Sequence, residues 1–300
     1  MLGRAMSQRP LVSVIIPVFN DSDSLKRCLN LLSLQTYPKD SFEIIVVDNG
    51  SAESPSEASS GIVNCRLLST PKKGSYCARN RGLEDARGSI IAFTDADCRP
   101  EPDWIESGVS YLETHPECSY LGGLIELEYR DPSRKSASEV YESLHAFRQK
   151  GFVEQVGFAA TANLFVRQAV FDTVGGFKES LRSGGDMEFG RRALGAGFGQ
   201  AYSPRTVIRH DARYRYLDLR KRELRKVGGL LPNLLAKRGT LMAVLMILAM
   251  PSPRLMRDGG RPAQLHGFRE VSLYIIVIGA LRVARAVELM RLSLGGEPRR

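Results

Sequence analysis

The five cysteines, Cys28, Cys65, Cys77, Cys98 and Cys118, offer little to disulfide or metal chemistry: they are odd in number, scattered, and form no CxxC pair or Cys/His cluster. Free thiols in a reducing cytoplasm are the expectation. No GxGxxG follows the first apolar run, and no GxxxxGKS or GxxxxGKT occurs anywhere, which argues against dinucleotide and P-loop binding. No export signal is expected from the apolar run Leu11 to Phe19 either, because it contains Pro17 and leads into Asn20-Asp21, not into a small-residue cleavage site. Nor does any run match a bilayer. Thr240–Met250 and Val271–Leu281 are 11 residues each, short of the about 20 a spanning helix needs, so interfacial or re-entrant segments are expected there.

What is present fits a folded α/β protein. The 300 residues are 43% apolar and 25% charged, enough for one large α/β domain or a domain with an appendage. Only Met1–Pro10 and Gly295–Arg300 join small, polar and basic residues without an apolar pattern, so flexibility is expected at the ends alone. The net charge of +9 is lopsided: residues 1–200 carry −4 and residues 201–300 carry +13. A mildly acidic body with a basic tail points to an anionic partner, either a membrane surface or nucleic acid.

Leu11-Val-Ser-Val-Ile-Ile-Pro-Val18 is near-continuously apolar and rich in β-branched residues, the composition of a strand buried on both faces of a parallel sheet. Asn20-Asp21-Ser22 then supplies N-cap residues, and Leu25, Cys28, Leu29 and Leu32 recur at helical spacing. The cycle repeats. Phe42–Val47 ends in Asp48-Asn-Gly-Ser51; a third strand is expected at Ile62–Leu68, a helix at Ser75–Ala86, and a fourth strand at Ser89–Thr94 closing on Asp95-Ala-Asp97. Tyr120–Tyr129 and Thr161–Val166 read as further strands, Asp186–Ala196 as a helix, and the chain from Arg213 onward as basic and helical. Such alternation implies a mostly parallel sheet with right-handed crossovers. Ligands bind outside the carboxyl ends of the strands in these sheets, so Asn20-Asp21, Asp48-Asn49 and Asp95 with Asp97 should converge on one crevice.

Asp95-Ala-Asp97 is the sharpest local signal. Residues two apart in extended chain point to the same side and can present two carboxylates to one divalent cation; the plainer reading is a solvated turn capping the helix near Trp104. In Gly184-Gly185-Asp186-Met187-Glu188, glycines before an acidic helix start leave backbone room for a ligand. The helix N-terminus keeps Asp186 ionised, as a general base must be, although an N-cap role explains the same residues. His210, one of four histidines, follows the strand-like Ala201–Ile208 and taken alone reads more readily as a satisfied polar residue than as a ligand.

In order and together, these segments resemble the family 2 glycosyltransferases of the GT-A fold from Leu11 to His210, two thirds of the chain. Val12-Ser-Val-Ile-Ile-Pro-Val-Phe-Asn20 is similar to the opening strand, and Val46-Val-Asp-Asn-Gly-Ser51 to the nucleoside-binding turn. Gly74 with Ala78-Arg79-Asn80-Arg81-Gly82 is similar to the loop and helix beneath the nucleotide, and Asp95-Ala-Asp97 to the metal-binding DxD element. Gly175-Gly-Phe177 resembles the acceptor-side segment, and Asp186 with Arg192 the helix of the catalytic base. The resemblance implies a Rossmann-like mixed, mostly parallel α/β sheet flanked by helices, and an inverting transferase that uses a nucleotide-diphosphate sugar, a UDP-sugar by default. It implies nucleotide contacts from Pro17, Phe19, Asn20, Asp48, Lys73, Arg79, Asp95 and Ala96, a Mg2+ or Mn2+ ion on Asp97 and His210, Asp186 as the base, and Gly185 and Arg192 on the acceptor side. Two positions depart from the pattern. Asn49 stands where a second acid is frequent and can still recognise a base or ribose through hydrogen bonds. Gly185 stands where Glu often precedes the catalytic Asp, which implies altered acceptor contacts.

The division that follows is a flexible 1–10, a catalytic 11–212, and a basic helical 213–300 that associates with a membrane. Arg209, Arg213, Arg215, Arg220, Lys221, Arg222, Arg225 and Lys226, with Tyr214, Tyr216 and Leu217 among them, read as a membrane-surface element, each near-surface cation contributing about 1 kcal/mol on anionic lipid. A solvated helix is the alternative. The acceptor expected is a glycan or lipid-linked hydroxyl, met at the cytoplasmic face of the inner membrane in polysaccharide or glycolipid synthesis. A processive polysaccharide synthase would share the catalytic half, but those enzymes resemble one another in a QxxRW element, and the only tryptophan here is Trp104. A nucleic-acid-binding protein would leave the acidic strand ends without a purpose. A sugar-nucleotide-forming nucleotidyltransferase would carry a glycine-rich basic loop after the first strand, and none follows it.

Overall fold

The computed structural model describes residues 9–238, 265 and 267–296. Most of the expected flexible ends, and all of the apolar stretch Thr240–Met250, lie outside those residues. The strands are β1 (Val12–Val18), β2 (Phe42–Asp48), β3 (Cys65–Ser69), β4 (Ile90–Thr94), β5 (Cys98–Pro100), β6 (Cys118–Glu128), β7 (Asn163–Arg167) and β8 (Gly199–Asp211). They form one sheet in the order β3-β2-β1-β4-β7-β6-β8-β5. The helices are α1 (Ser22–Ser33), α2 (Ser56–Ser59), α3 (Ser75–Asp85), α4 (Trp104–Thr114), α5 (Ala137–His145), α6 (Gln149–Gly151), α7 (Gln168–Val174), α8 (Gly185–Gly195), α9 (Tyr216–Arg238) and α10 (Gly267–Ser293), with a π-helical turn at Phe152–Val156.

β1 pairs in parallel with β2 and β4, and β2 with β3, so the carboxyl ends of four strands share one edge. The apolar run behind that arrangement behaves as its composition demands: Val12, Val14, Ile15 and Ile16 are fully buried. β7 runs antiparallel to β4 and β6, and β5 antiparallel to β8, which makes the sheet mixed. β3 begins at Cys65 and not at the expected Ile62, because Asn64 adopts φ 61°, a left-handed conformation that ends an extended run. All five cysteines are free of disulfides.

Packing divides the chain into two units. One comprises residues up to 126 with 148–180 and 185–210; the other comprises 127–147, 181–184 and 211 onward. In the first, α3 lies close on β1, because a Cβ on Gly82 would come within 2.6 Å of Ile15 Cγ2. Below α8 an aromatic cluster joins three elements: Phe177 packs on Tyr76 of α3, Phe93 of β4 and Phe189 of α8 at centroid distances of 5.7, 5.4 and 4.8 Å. Asn163 is buried at the head of β7, accepting from Trp104 Nε1 at 2.9 Å and donating to the carbonyls of Leu124 and Thr206, so one amide ties α4, β6 and β8 together.

The second unit is helical around Val140, Tyr141 and Leu144 of α5, Leu219 of α9, and Tyr274, Val277 and Leu281 of α10. It also encloses charge. Glu142 accepts from Arg213 Nη1 at 3.0 Å and pairs with Arg222, while Glu223 pairs with Arg222, Lys226 and Arg285. Burial opposes ionisation of Glu223, yet Lys226, Arg222 and Arg285 hold its carboxyl well below the ordinary carboxylate range. Among the described residues no helix is long and apolar enough to cross a membrane.

Candidate active site

The parallel pairing delivers what strand-end chemistry requires. Val18 of β1 lies in register with Asp48 of β2, and β4 ends beside them at Thr94, followed by Asp95-Ala96-Asp97. Asn20, at φ 51°, turns the chain after β1: its Oδ1 accepts the Ala52 N–H at 2.8 Å, its own N–H donates to Ser51 Oγ at 2.8 Å, and Asp48 Oδ1 accepts the Ser51 N–H at 3.0 Å. Asp48 and Asn20 therefore shape one turn. Phe19 stands 40% exposed beside it, whereas Pro17 lies within β1 itself.

Asn49 is buried and has a specific task. Its Nδ2 donates to the Lys72 carbonyl at 2.8 Å and its Oδ1 accepts the Gly74 N–H at 2.7 Å, fixing the loop that carries the exposed Lys73. A carboxylate could make the second of these bonds but not the first. Gly74, at φ 130°, then opens α3.

The two carboxylates of the Asp95-Ala96-Asp97 turn have different partners. Asp95 Oδ1 accepts from Arg79 Nη2 of α3 at 2.5 Å, and that guanidinium is almost wholly buried. Asp97 Oδ2 lies 3.2 Å from His210 Nε2. Antiparallel pairing explains this second contact, since His210 on β8 sits directly across from Cys98 on β5, the residue after Asp97. One carboxylate oxygen and one imidazole nitrogen facing each other are ligands that Mg2+ or Mn2+ accepts, the rest of the shell coming from substrate phosphate and water. Asp97 and His210 thus fit a divalent cation that would take its remaining ligands from outside this pair. Among the described residues no group of three or more His, Cys, Asp and Glu side chains could hold one unaided. Two buried polar atoms near Asp95, Arg79 Nε and Thr94 Oγ1, have no hydrogen-bond partner in the described structure.

Asp186 occupies the first turn of α8 and is half-buried. Its Oδ1 accepts from Met187 N–H at 3.0 Å and from the Tyr76 hydroxyl at 3.4 Å. Burial raises its carboxyl above the ordinary value, against the pull of Arg79 and these hydrogen bonds. Backbone N–H groups of the helix's first turn pull toward the anion, but desolvation outweighs them. A carboxylate raised in this way is a stronger proton acceptor.

Gly185 and Arg192 lie on the same helix. A Cβ at Gly185 would stand 2.7 Å from the Tyr76 ring, so the tyrosine fills the space of any larger side chain there. Arg192 is engaged with Glu188 and with the carbonyls that end α7 and follow it, those of Val174, Gly175 and Gly176. Its visible work is to fasten α8 to the segment that bears Phe177.

Residues 13–175 match the family model described as glycosyl transferase family 2. The chain belongs to that family. This family 2 glycosyltransferase is 40% identical over 212 residues to the glycosyltransferase AglE of Haloferax volcanii, an alignment covering 69% of each chain. It is 29% identical over 296 residues to the pre-mycofactocin glycosyltransferase of Mycobacterium tuberculosis, covering 94% of this chain and 59% of that longer one. A Methanococcus voltae relative, 23% identical over 221 residues with 67% of each chain covered, is named as a dolichyl N-acetyl-alpha-D-glucosaminyl phosphate 3-beta-D-2,3-diacetamido-2,3-dideoxy-beta-D-glucuronosyltransferase. Among solved structures, the mannosyltransferase PcManGT from Pyrobaculum calidifontis in complex with GDP-Man and Mn2+ matches with a TM-score of 0.64 at 18% identity, over 95% of this chain and 88% of that one. The family 2 enzyme therefore has the GT-A fold, with relatives in glycan synthesis.

Of the residues singled out from sequence, the structure brings Asp95 to Arg79, Asp97 to His210, and Asp48 to the Asn20–Ala52 turn. Sequence reasoning passed over Tyr76, although it stands between the Gly74 turn and Arg79 within a segment already identified. Its partner Gly185 is 109 positions away, and no local pattern links the two.

Proposed function

We propose that this glycosyltransferase is inverting and transfers a single sugar from a nucleoside-diphosphate sugar, with UDP as the nucleotide, to a hydroxyl of a glycan or lipid-linked acceptor. The observation that carries the reading is the position of Arg79. It pairs with Asp95 at the strand ends, and its charge acts on Asp186 at the start of α8, so the donor turn and the base share one environment. In the reaction the acceptor oxygen bonds to the anomeric carbon as the bond from that carbon to the diphosphate oxygen breaks. The hydroxyl proton passes to the Asp186 carboxylate as the attacking oxygen becomes acidic. Asp97 and His210 are the residues that would hold Mg2+ or Mn2+, which when bound supplies positive charge to the departing diphosphate. Arg79 keeps Asp95 oriented and favours the ionised form of Asp186. The turn of Asn20, Asp48 and Ser51 and the Asn49-fixed loop with Lys73 form the nucleotide side.

An anionic membrane surface is the second partner we propose, met at the cytoplasmic face of the inner membrane through the basic C-terminal region. The exposed Arg215 and Lys221 of that region, and the exposed Phe268, Ile276 and Val283 along α10 with Leu294 just beyond it, support it.

Calorimetric titration of UDP and GDP into the full chain, with and without Mn2+, tests the donor reading. Tight UDP binding that requires both Mn2+ and Asp97, and disappears in Asp97→Ala, is expected. Well-folded protein that binds no nucleoside diphosphate would refute it. For the base, Asp186→Asn should lower turnover by about 100-fold or more with donor affinity unchanged.

A further inference from the structure

Tyr76 makes a set of contacts that packing does not demand. Its ring stacks on Phe177 and is buried, a role that phenylalanine would fill equally well. The hydroxyl, however, sits at the opening of α8. It accepts the Gly185 N–H at 2.8 Å and the Asp186 N–H at 3.4 Å, and it donates to Asp186 Oδ1 at 3.4 Å. One oxygen thus caps two unpaired N–H groups of the helix and orders the carboxylate on its first turn. The ring reaches this place only because residue 185 lacks a side chain, as a Cβ there would lie 2.7 Å from Tyr76 Cε2 and Cζ.

We infer that Tyr76 is the positioning residue for Asp186, and that the Tyr76–Gly185 pair is what orients the base in this enzyme where a neighbouring carboxylate is absent. The inference deepens the assignment of Asp186 as base and rests on it for its catalytic meaning. Burial and the adjacent Asp186 charge raise the Tyr76 phenol above its ordinary value, so the hydroxyl keeps its proton and remains a donor. The titratable and charged groups around Asp186 are Tyr76 and Arg79 from α3, Tyr120 from β6, and on α8 itself Glu188, which is paired with Arg192 and Lys178.

The test reads the carboxyl directly. Full-length protein labelled with 13C at the aspartate side-chain carbonyl is titrated by NMR, the Asp186 resonance being the one lost in Asp186→Asn. Tyr76→Phe keeps the ring and removes the donor, and its Asp186 midpoint should rise by about one pH unit. Gly185→Ala, which pushes the ring aside, should move the midpoint in the same direction. An unmoved midpoint in both variants, with the thermal unfolding of the parent retained, overturns the positioning role. Because the measurement needs no acceptor and no turnover, it stands apart from the Asp186→Asn kinetics: full activity in that variant would sink the base assignment while leaving the Tyr76 contact intact.

Discussion

A single atom separates Asn49 from the acid that often occupies its place, and the structure shows what that atom does. The Nδ2 of Asn49 holds the Lys72 carbonyl, while Oδ1 holds Gly74 N–H at the start of α3. Asn49→Asp would set a carboxylate oxygen against a carbonyl in a buried position, leaving that carbonyl unpaired. We expect a loss of about 1 to 2 kcal/mol in stability, read from the denaturant midpoint at constant slope. Because the same loop carries Lys73, nucleotide affinity should fall while kcat changes little. Unaltered stability would show that the loop is held by its other contacts. Gly185 carries the same lesson. From sequence its missing side chain reads as a lost carboxylate; in the structure it is the clearance that admits Tyr76.

Elements were legible in proportion to how local their causes are. Strands β1, β2 and β4 announce themselves by apolar runs, whereas the more polar β3 begins three residues after the expected Ile62; the parallel pairing follows from helices between the strands, so the acidic strand ends gather on one edge as the sequence alone implies. Contacts between distant residues left no such mark. Asn163 reaches Trp104 across 59 positions, and Arg213 and Arg222 reach Glu142 across 71 and 80. The basic stretch read as a surface element is thus partly internal: Arg213, Arg222 and Lys226 are committed to Glu142 and Glu223. Neutralising Glu223 tests this network. Glu223→Gln leaves three cations facing a neutral amide and should cost about 3 kcal/mol or more. The pH dependence has a definite sign. A carboxyl held below its unfolded value stabilises the fold fully above an unfolded-state value of about 4.3, and the contribution is lost as pH falls below it. Guanidinium midpoints at pH 6 and pH 3.5 should therefore differ more in the parent chain than in Glu223→Gln. Equal differences would remove Glu223 from the acid response.

At the scale of the whole molecule the +13 carried by residues 201–300 has to be recounted once the inward cations are set aside. Arg215 and Lys221 are among those that remain at the surface, and α10 presents Phe268, Ile276 and Val283 to solvent while Tyr274, Val277 and Leu281 of the same helix are buried in the helical core. That split suits the interfacial role proposed for α10, in which one face packs in the helical core and the other would meet acyl chains. The charge and apolar contributions can be separated with vesicles of phosphatidylglycerol and phosphatidylcholine. Arg215→Glu with Lys221→Glu should weaken binding to anionic vesicles by about 30-fold or more, since each cation contributes about 1 kcal/mol and reversal adds repulsion. That loss should shrink as salt is raised, because exposed charges are screened over a Debye length. Ile276→Glu should weaken binding at every salt concentration, because its contribution is apolar burial. Neither change touches the strand-end residues, so UDP affinity in the presence of Mn2+ should match the parent. If the parent chain stays entirely in the supernatant with anionic vesicles at physiological salt, the membrane partner is refuted and the acceptor must be sought among soluble glycans.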